Sequence, residues 1–175
     1  AIFSKKNVIT KMKFPISVLP ATVCVREFFN HLCMMAITVV LLILFGYYPS
    51  IYWLGLIYYA FCAFMFLEAL ALVTSVLTMM WRDVKKLVTS LMRMLMYLSP
   101  VLWPAAFSSI PVMSFIMKLN PVYYIVTGYS DSMFFEKSIF AHPALTVYFW
   151  AVVIVLFIIG SALMYHFKRK MVDMI

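Results

Sequence analysis

"YWLGLIYYAFCAFMFLEALALVTSVLTMM", residues 52–80, carries one charged side chain, Glu68, in an otherwise apolar or weakly polar run. As an α-helix it would extend about 43 Å at 1.5 Å per residue, and a membrane span has only about 30 Å of hydrocarbon to cross. A soluble core has no use for an unbroken apolar helix of that length. The stretch reads as a membrane span, long enough to tilt or to continue beyond the bilayer. The rest of the chain agrees. It is 66% hydrophobic and 11% charged, where a soluble domain is roughly 25% charged.

Working outward, three more spans are expected. Residues 22–46 precede the quoted run and end in "LLILFGYYPS", where Gly46 and Pro49 break the helix. Residues 87–103 follow it and end at Pro100 and Pro104, and residues 145–167 close the set. The expected fold is an all-α integral membrane protein, a polytopic helical bundle of four spans. Every span is a continuous apolar run, so periodicity alone does not say which face meets lipid.

Residues 105–144, between the third and fourth spans, are too apolar for a plain loop. "IPVMSFIMKL" (110–119) and "VYYIV" (122–126) are each too short to cross, and Asn120-Pro121 stands between them. Interrupted apolar stretches of this length read as a re-entrant helical hairpin on the outer side.

Charge sets the orientation. Lys5, Lys6, Lys11, Lys13, Arg26, Arg82, Lys85, Lys86, Arg93, Lys168, Arg169 and Lys170 gather on one side of the four spans, leaving Lys118 and Lys137 on the other. The basic side is expected to be cytoplasmic, with both ends of the segment there. The net charge of +8 then needs no nucleic acid to explain it. The chain starts at Ala1 without a signal-peptide pattern, which leads us to expect a segment of a longer protein.

Chemistry-bearing motifs are few. Cys24, Cys33 and Cys62 form no CxxC pair and are expected to be small buried hydrophobes. There is no GxxxxGK[ST] loop for nucleotide phosphates, no GxSxG and no HExxH. No His/Cys/Asp/Glu cluster has metal spacing. If energy is used, it is expected to come from another chain.

Several residues remain as candidates. In "VITKMKFPISVLP" (8–20), Val8, Ile9 and Met12 fall on one helical face, Lys6 and Lys13 fall away from it, and Pro15 ends the helix. This segment, within residues 1–21, is either an interfacial helix with snorkelling lysines or a docking helix for a partner. Glu68 is an intramembrane carboxylate, costly and so a functional candidate. It either pairs with Arg93 of the third span or stays neutral and hydrogen-bonded while Arg93 snorkels. Arg26, Glu27, Asn30 and His31 read as a helix start with headgroup contacts rather than a proton relay. Tyr47, Tyr48, Tyr52, Trp53, Trp103, Tyr123, Tyr124 and Tyr129 map to the outer interface. An aromatic belt accounts for most of them, and those in the hairpin could instead line a polymer path. His142 and His166 stand alone. Asp131 and Glu136 are the only outer acids for an intramembrane enzyme, and the sequence offers them no partners.

Four stretches together resemble a known family. They are "KMKFPISVLP" (11–20), "WRDVKKLVTSLMRMLMYLSPVLWP" (81–104), "KLNPVYYIVTGYSDSMF" (118–134) and "GSALMYHFKRKMVDMI" (160–175). In this order and spacing they resemble the ABC-2 type transporter permeases, in the branch that exports polysaccharides and teichoic acids. "MKFP" with "LSPVLW" and "LNPVYYIV" is most similar to the wall teichoic acid permeases, with O-antigen and capsular polysaccharide exporters as close alternatives. The family has six spans, so the resemblance implies the C-terminal part of such a permease. It implies that Lys5, Lys6, Val8, Ile9, Lys11, Met12, Lys13 and Phe14 couple the chain to a separate ABC ATP-binding subunit. That subunit would bind ATP and magnesium, and this chain would need no cofactor and catalyse nothing itself. Asn120, Pro121, Tyr123, Tyr124 and Tyr129 would belong to the translocation path or its gate. Lys13 and Arg26 would attract the head group of an undecaprenyl diphosphate-linked polymer, and two permeases would pair as a homodimer in the bacterial cytoplasmic membrane. The rival readings are an ion-coupled secondary transporter and an intramembrane transferase.

Overall fold

The computed structural model describes residues 18–81, 83–99 and 111–173. Among them the regular structure is entirely helical. Helix α1 is Val18–Leu44, a single 3-10 turn covers Ile51–Trp53, and α2 is Leu54–Met80. Then come α3 (Val84–Tyr97), α4 (Pro111–Leu119), α5 (Pro121–Met133) and α6 (Pro143–Asp173). Among the described residues, three stretches are long and apolar enough to cross a membrane: Pro20–Leu44, Ile51–Met80 and Pro143–Phe167. They fall on three of the four expected spans. The protein is an all-α polytopic membrane protein.

The expected third span is present in its first part. Helix α3 has 14 residues, about 21 Å at the α-helical rise, which is less than the hydrocarbon thickness. Pro100, Trp103 and Pro104 lie outside the described residues. So do Arg82 and the opening segment from Lys5 to Phe14.

Local chemistry explains the ends. Gly46, at φ +90°, takes the left-handed conformation that a helix C-terminus favours and only glycine adopts freely. Its N–H bonds the Ile43 carbonyl and the Tyr47 N–H bonds the Leu42 carbonyl, both at 3.0 Å. This pair of reversed bonds satisfies carbonyls that the helix end would otherwise orphan. Ser50 opens the next segment, its hydroxyl accepting the Tyr52 N–H at 3.3 Å. The break expected between the two hairpin stretches is where α4 gives way to α5.

The chain forms two compact units. Among the described residues, the first takes 18–36, 64–81, 83–88 and 153–173. Within it the Phe28 and Phe64 rings lie 4.8 Å apart, and the Cys24 thiol reaches the Leu67 carbonyl at 3.9 Å. Gly160 lets α6 approach Leu72 and Val73, since a Cβ there would stand 2.9 Å from the Leu72 side chain. Small residues at such crossings are how membrane helices pack closely. The second unit takes, among the described residues, 37–63, 89–99 and 111–152. It is centred on Tyr59, Ala60, Cys62, Tyr124, Ile125 and Phe149, all buried.

Helix α2 contributes to both units. Its buried positions Tyr59, Cys62, Phe66, Ala69, Val76 and Met79 recur at steps of three, four and seven residues, one side of a helix. Helix α1 instead exposes Phe29, Met34, Ile37, Leu41 and Leu44, a surface suited to lipid. Cys33 shares that exposure, so the expectation of three buried cysteines holds for Cys24 and Cys62 only. In a bilayer its surroundings are still apolar, which is why an unpaired thiol is at ease there.

Candidate functional site

The second unit carries the densest polar chemistry, built on the α4–α5 hairpin. Asn120 makes the break. Its side-chain oxygen accepts the Val122 N–H at 2.9 Å, capping α5, and Pro121 occupies the first helical position, where its missing N–H is no loss. The Asn120 amide also donates to the Leu95 carbonyl of α3 at 2.7 Å. One buried side chain thus starts α5 and ties the hairpin to α3. On the α4 side, the Tyr148 hydroxyl donates to the Leu119 carbonyl at 2.7 Å, so α6 holds the same corner.

A chain of hydroxyls runs behind the hairpin. The Trp150 indole N–H donates to the Tyr58 hydroxyl at 3.1 Å. Tyr58 meets the Tyr124 hydroxyl at 3.3 Å, and Tyr124 meets Thr146 at 3.0 Å. The Tyr59 ring packs 5.5 Å from Tyr124 and 6.2 Å from Tyr129, and Tyr124 lies 4.9 Å from Phe149. Gly128 makes room for this, because a Cβ there would collide with the Tyr59 ring. Burial pushes the Tyr124 and Tyr129 hydroxyls up from their ordinary value, so both remain neutral. The network is a scaffold of α2, α5 and α6 with no nucleophile–base pair in it.

At the far end of α5 lies a charged clasp. Asp131 is 5% exposed. One carboxylate oxygen accepts from the Lys137 ammonium at 3.0 Å, and the other lies 3.1 Å from His142 Nε2. Lys137 also stands 5.2 Å from the centroid of the Phe135 ring. The loop between them passes through Glu136 at φ +49°, a conformation uncommon for a residue other than glycine. The clasp closes the loop that leads from α5 into α6. This corrects the expectation that Asp131 lacks partners and that His142 stands alone: the turn brings together residues that the sequence separates by six and eleven positions. Nothing in their spacing signals it, since loops have no fixed period. His166 has a ring contact, 4.8 Å from its neighbour Phe167.

The other candidates are distributed as follows. Asn120 and Tyr124 are buried, each at 4% exposure, while Pro121, Tyr123 and Tyr129 are half-buried. Tyr47, Tyr48 and Tyr52 are exposed, as an interfacial belt requires. Glu68 is half-buried in the first unit with its Oε2 atom buried and unpartnered, and Arg93 is an exposed residue of the second. Arg26 donates to Glu27 at 2.6 Å, and Asn30 donates to the other Glu27 oxygen at 3.5 Å. Lys5, Lys6, Val8, Ile9, Lys11, Met12, Lys13 and Phe14 lie outside the described residues. Tyr58, Thr146 and Trp150, which complete the hydroxyl chain, were not legible because each sits in a span that is apolar all round. Among the described residues, no group of three His, Cys, Asp or Glu side chains is placed to hold a metal ion.

Comparison with known proteins places this arrangement. The O-antigen export system permease protein RfbA of Myxococcus xanthus is 26% identical over 137 residues, 78% of this chain and 52% of the relative. The protein of the same name from Klebsiella pneumoniae is 24% identical over 177 aligned positions, covering 100% of this chain and 66% of the relative. The chain thus spans between half and two thirds of the length of these relatives. The model of the ABC-2 type transporter family matches residues 2–134, from the opening basic segment to the end of the hairpin helix α5. Apolar spans, capped hairpin and family match agree: the chain belongs to the ABC-2 type transporter family.

Proposed function

We propose that this chain is part of the membrane-spanning permease of an ABC exporter that moves a lipid-linked cell-surface polysaccharide. The observation that carries the reading is the family match across residues 2–134. The cargo we favour is an O-antigen-like polysaccharide, because the similar proteins are O-antigen export permeases. Neither of those relatives favours wall teichoic acid, towards which the sequence resemblance leaned.

In this reading ATP and magnesium belong to a separate ATP-binding subunit, and this chain catalyses no reaction. The segment holding Lys5, Lys6, Val8, Ile9, Lys11, Met12, Lys13 and Phe14 meets that subunit at the cytoplasmic face of the bacterial membrane. Two permeases form the path, and the polymer rides on an undecaprenyl diphosphate lipid whose head group is drawn by Lys13 and Arg26. Arg26 is exposed and already bonded to Glu27, so its attraction for an anion is that of a solvated guanidinium, screened by salt. The hairpin holding Asn120, Pro121, Tyr123, Tyr124 and Tyr129 gates the exit. Buried Tyr124 shapes that gate from behind, while half-buried Tyr123 and Tyr129 are the rings with surface left for a sugar.

The test is co-purification of the complete protein with its genetic neighbours. An ATP-binding subunit should accompany it, and should be lost when Lys11, Met12 and Phe14 are all changed to Glu. Polysaccharide on the cell surface should fall in parallel. Export that survives loss of the ATP-binding subunit would replace this reading with an ion-coupled one.

A further inference from the structure

Beside the clasp, the second unit opens a cleft of about 280 Å³ between the first turns of the second span and the loop after α5. Ile51, Tyr52, Leu54 and Tyr58 form one wall, and Lys137 and Phe140 contribute to the other. The chemistry is two-sided. Ile51, Leu54 and Phe140 are 76%, 65% and 79% exposed, an apolar surface at the end of a membrane span. Among the described residues, Lys137 is the single cation lining the cleft, its side chain 47% exposed. An ammonium has three donors, and Asp131 takes one of them from the buried side. Asp131 and the Phe135 face therefore hold Lys137 in place while leaving it capacity towards the opening.

We infer that this cleft seats one membrane phospholipid, its phosphate on Lys137 and the start of its acyl chains against Ile51, Leu54 and Phe140. Height favours this occupant. The cleft begins at Ile51, the first residue of the span Ile51–Met80, and headgroup phosphates lie at the ends of spans, just beyond the hydrocarbon. Apolar walls favour it over a free anion, which gains nothing from Leu54 or Phe140. The inference rests on the chain being a membrane protein and needs neither the ATP-binding subunit nor the polysaccharide.

Native mass spectrometry of the complete purified protein tests it without any transport assay. Dioctanoyl phosphatidylglycerol, dioctanoylglycerol and inorganic phosphate are the three probes. The phospholipid should bind at one per chain and survive competition by inorganic phosphate, while the phosphate-free diacylglycerol binds much more weakly. Lys137→Gln should weaken phospholipid binding about tenfold, the scale of one charge-assisted hydrogen bond, and Lys137→Arg should keep it. Leu54→Trp, which fills the cleft and leaves the clasp intact, should also expel the lipid, and serves if Lys137→Gln does not fold. Equal retention of diacylglycerol would show a purely apolar groove and overturn the inference. Displacement by millimolar inorganic phosphate would show a free-anion site and overturn it equally. So would phospholipid binding unchanged in both variants.

Discussion

Gly128 and Tyr59 share a space that only one side chain can occupy. Any Cβ at position 128 would collide with the Tyr59 ring, and Tyr59 is itself buried among Tyr124 and Tyr129. Gly128→Ala should therefore lower the stability of the purified protein by about 1–3 kcal/mol, the usual penalty for overpacking, read as a fall in its thermal midpoint. Tyr59→Leu in the Gly128→Ala background should recover part of the loss, because a shorter side chain vacates the collision. A midpoint unchanged by Gly128→Ala would mean that the two helices are not in contact there. None of this is visible in "TGYSD", where the glycine reads simply as a weak point in a helix. Asp131 makes a similar case with charge instead of volume. In sequence it is one acid near a loop, and its two partners are known only once the loop is folded back.

Among the elements, the α4–α5 hairpin depends most on a single position. Asn120 serves α5 as a cap and α3 as a donor, through two different atoms. Substitutions can separate the two roles. Asn120→Ser keeps a capping oxygen and should lose only the bond to the Leu95 carbonyl, about 1 kcal/mol. Asn120→Ala loses both and should cost about 2 kcal/mol. Limited proteolysis between α3 and α5 should follow the same order, and equal effects of the two variants would discard the dual role. This part of the site was legible. "NP" between two short apolar runs predicted both the break and its place, because capping and proline chemistry act over two or three residues. The reach to Leu95 was not, since it joins positions 25 residues apart.

For the whole molecule, the prediction concerns orientation in the membrane. If the basic end is cytoplasmic, a cysteine replacing Ser138 in the clasp loop should react with a membrane-impermeant maleimide on intact cells. A cysteine replacing Lys86, exposed near the start of α3, should react only after the membrane is opened. The natural Cys24, Cys33 and Cys62 are first changed to Ser. The reverse pattern would turn the molecule over and place the hairpin on the cytoplasmic side. What the sequence determined by itself is the membrane class, the ends of three long apolar helices to within two residues, and the break between the two short helices α4 and α5. Those follow from apolar length against bilayer thickness and from local turn chemistry, which need no knowledge of neighbours. What only the tertiary structure decided is which side of each span faces inward. Helix α2 is apolar all round, yet Tyr59, Cys62, Phe66, Ala69, Val76 and Met79 are buried while Leu54, Ile57, Phe61 and Leu67 are exposed. In lipid, both faces are equally soluble in their surroundings, so hydrophobicity cannot choose between them. Shape and a few polar atoms choose instead: the space beside Gly128, the hydroxyl chain through Tyr58 and Tyr124, and the clasp on Asp131.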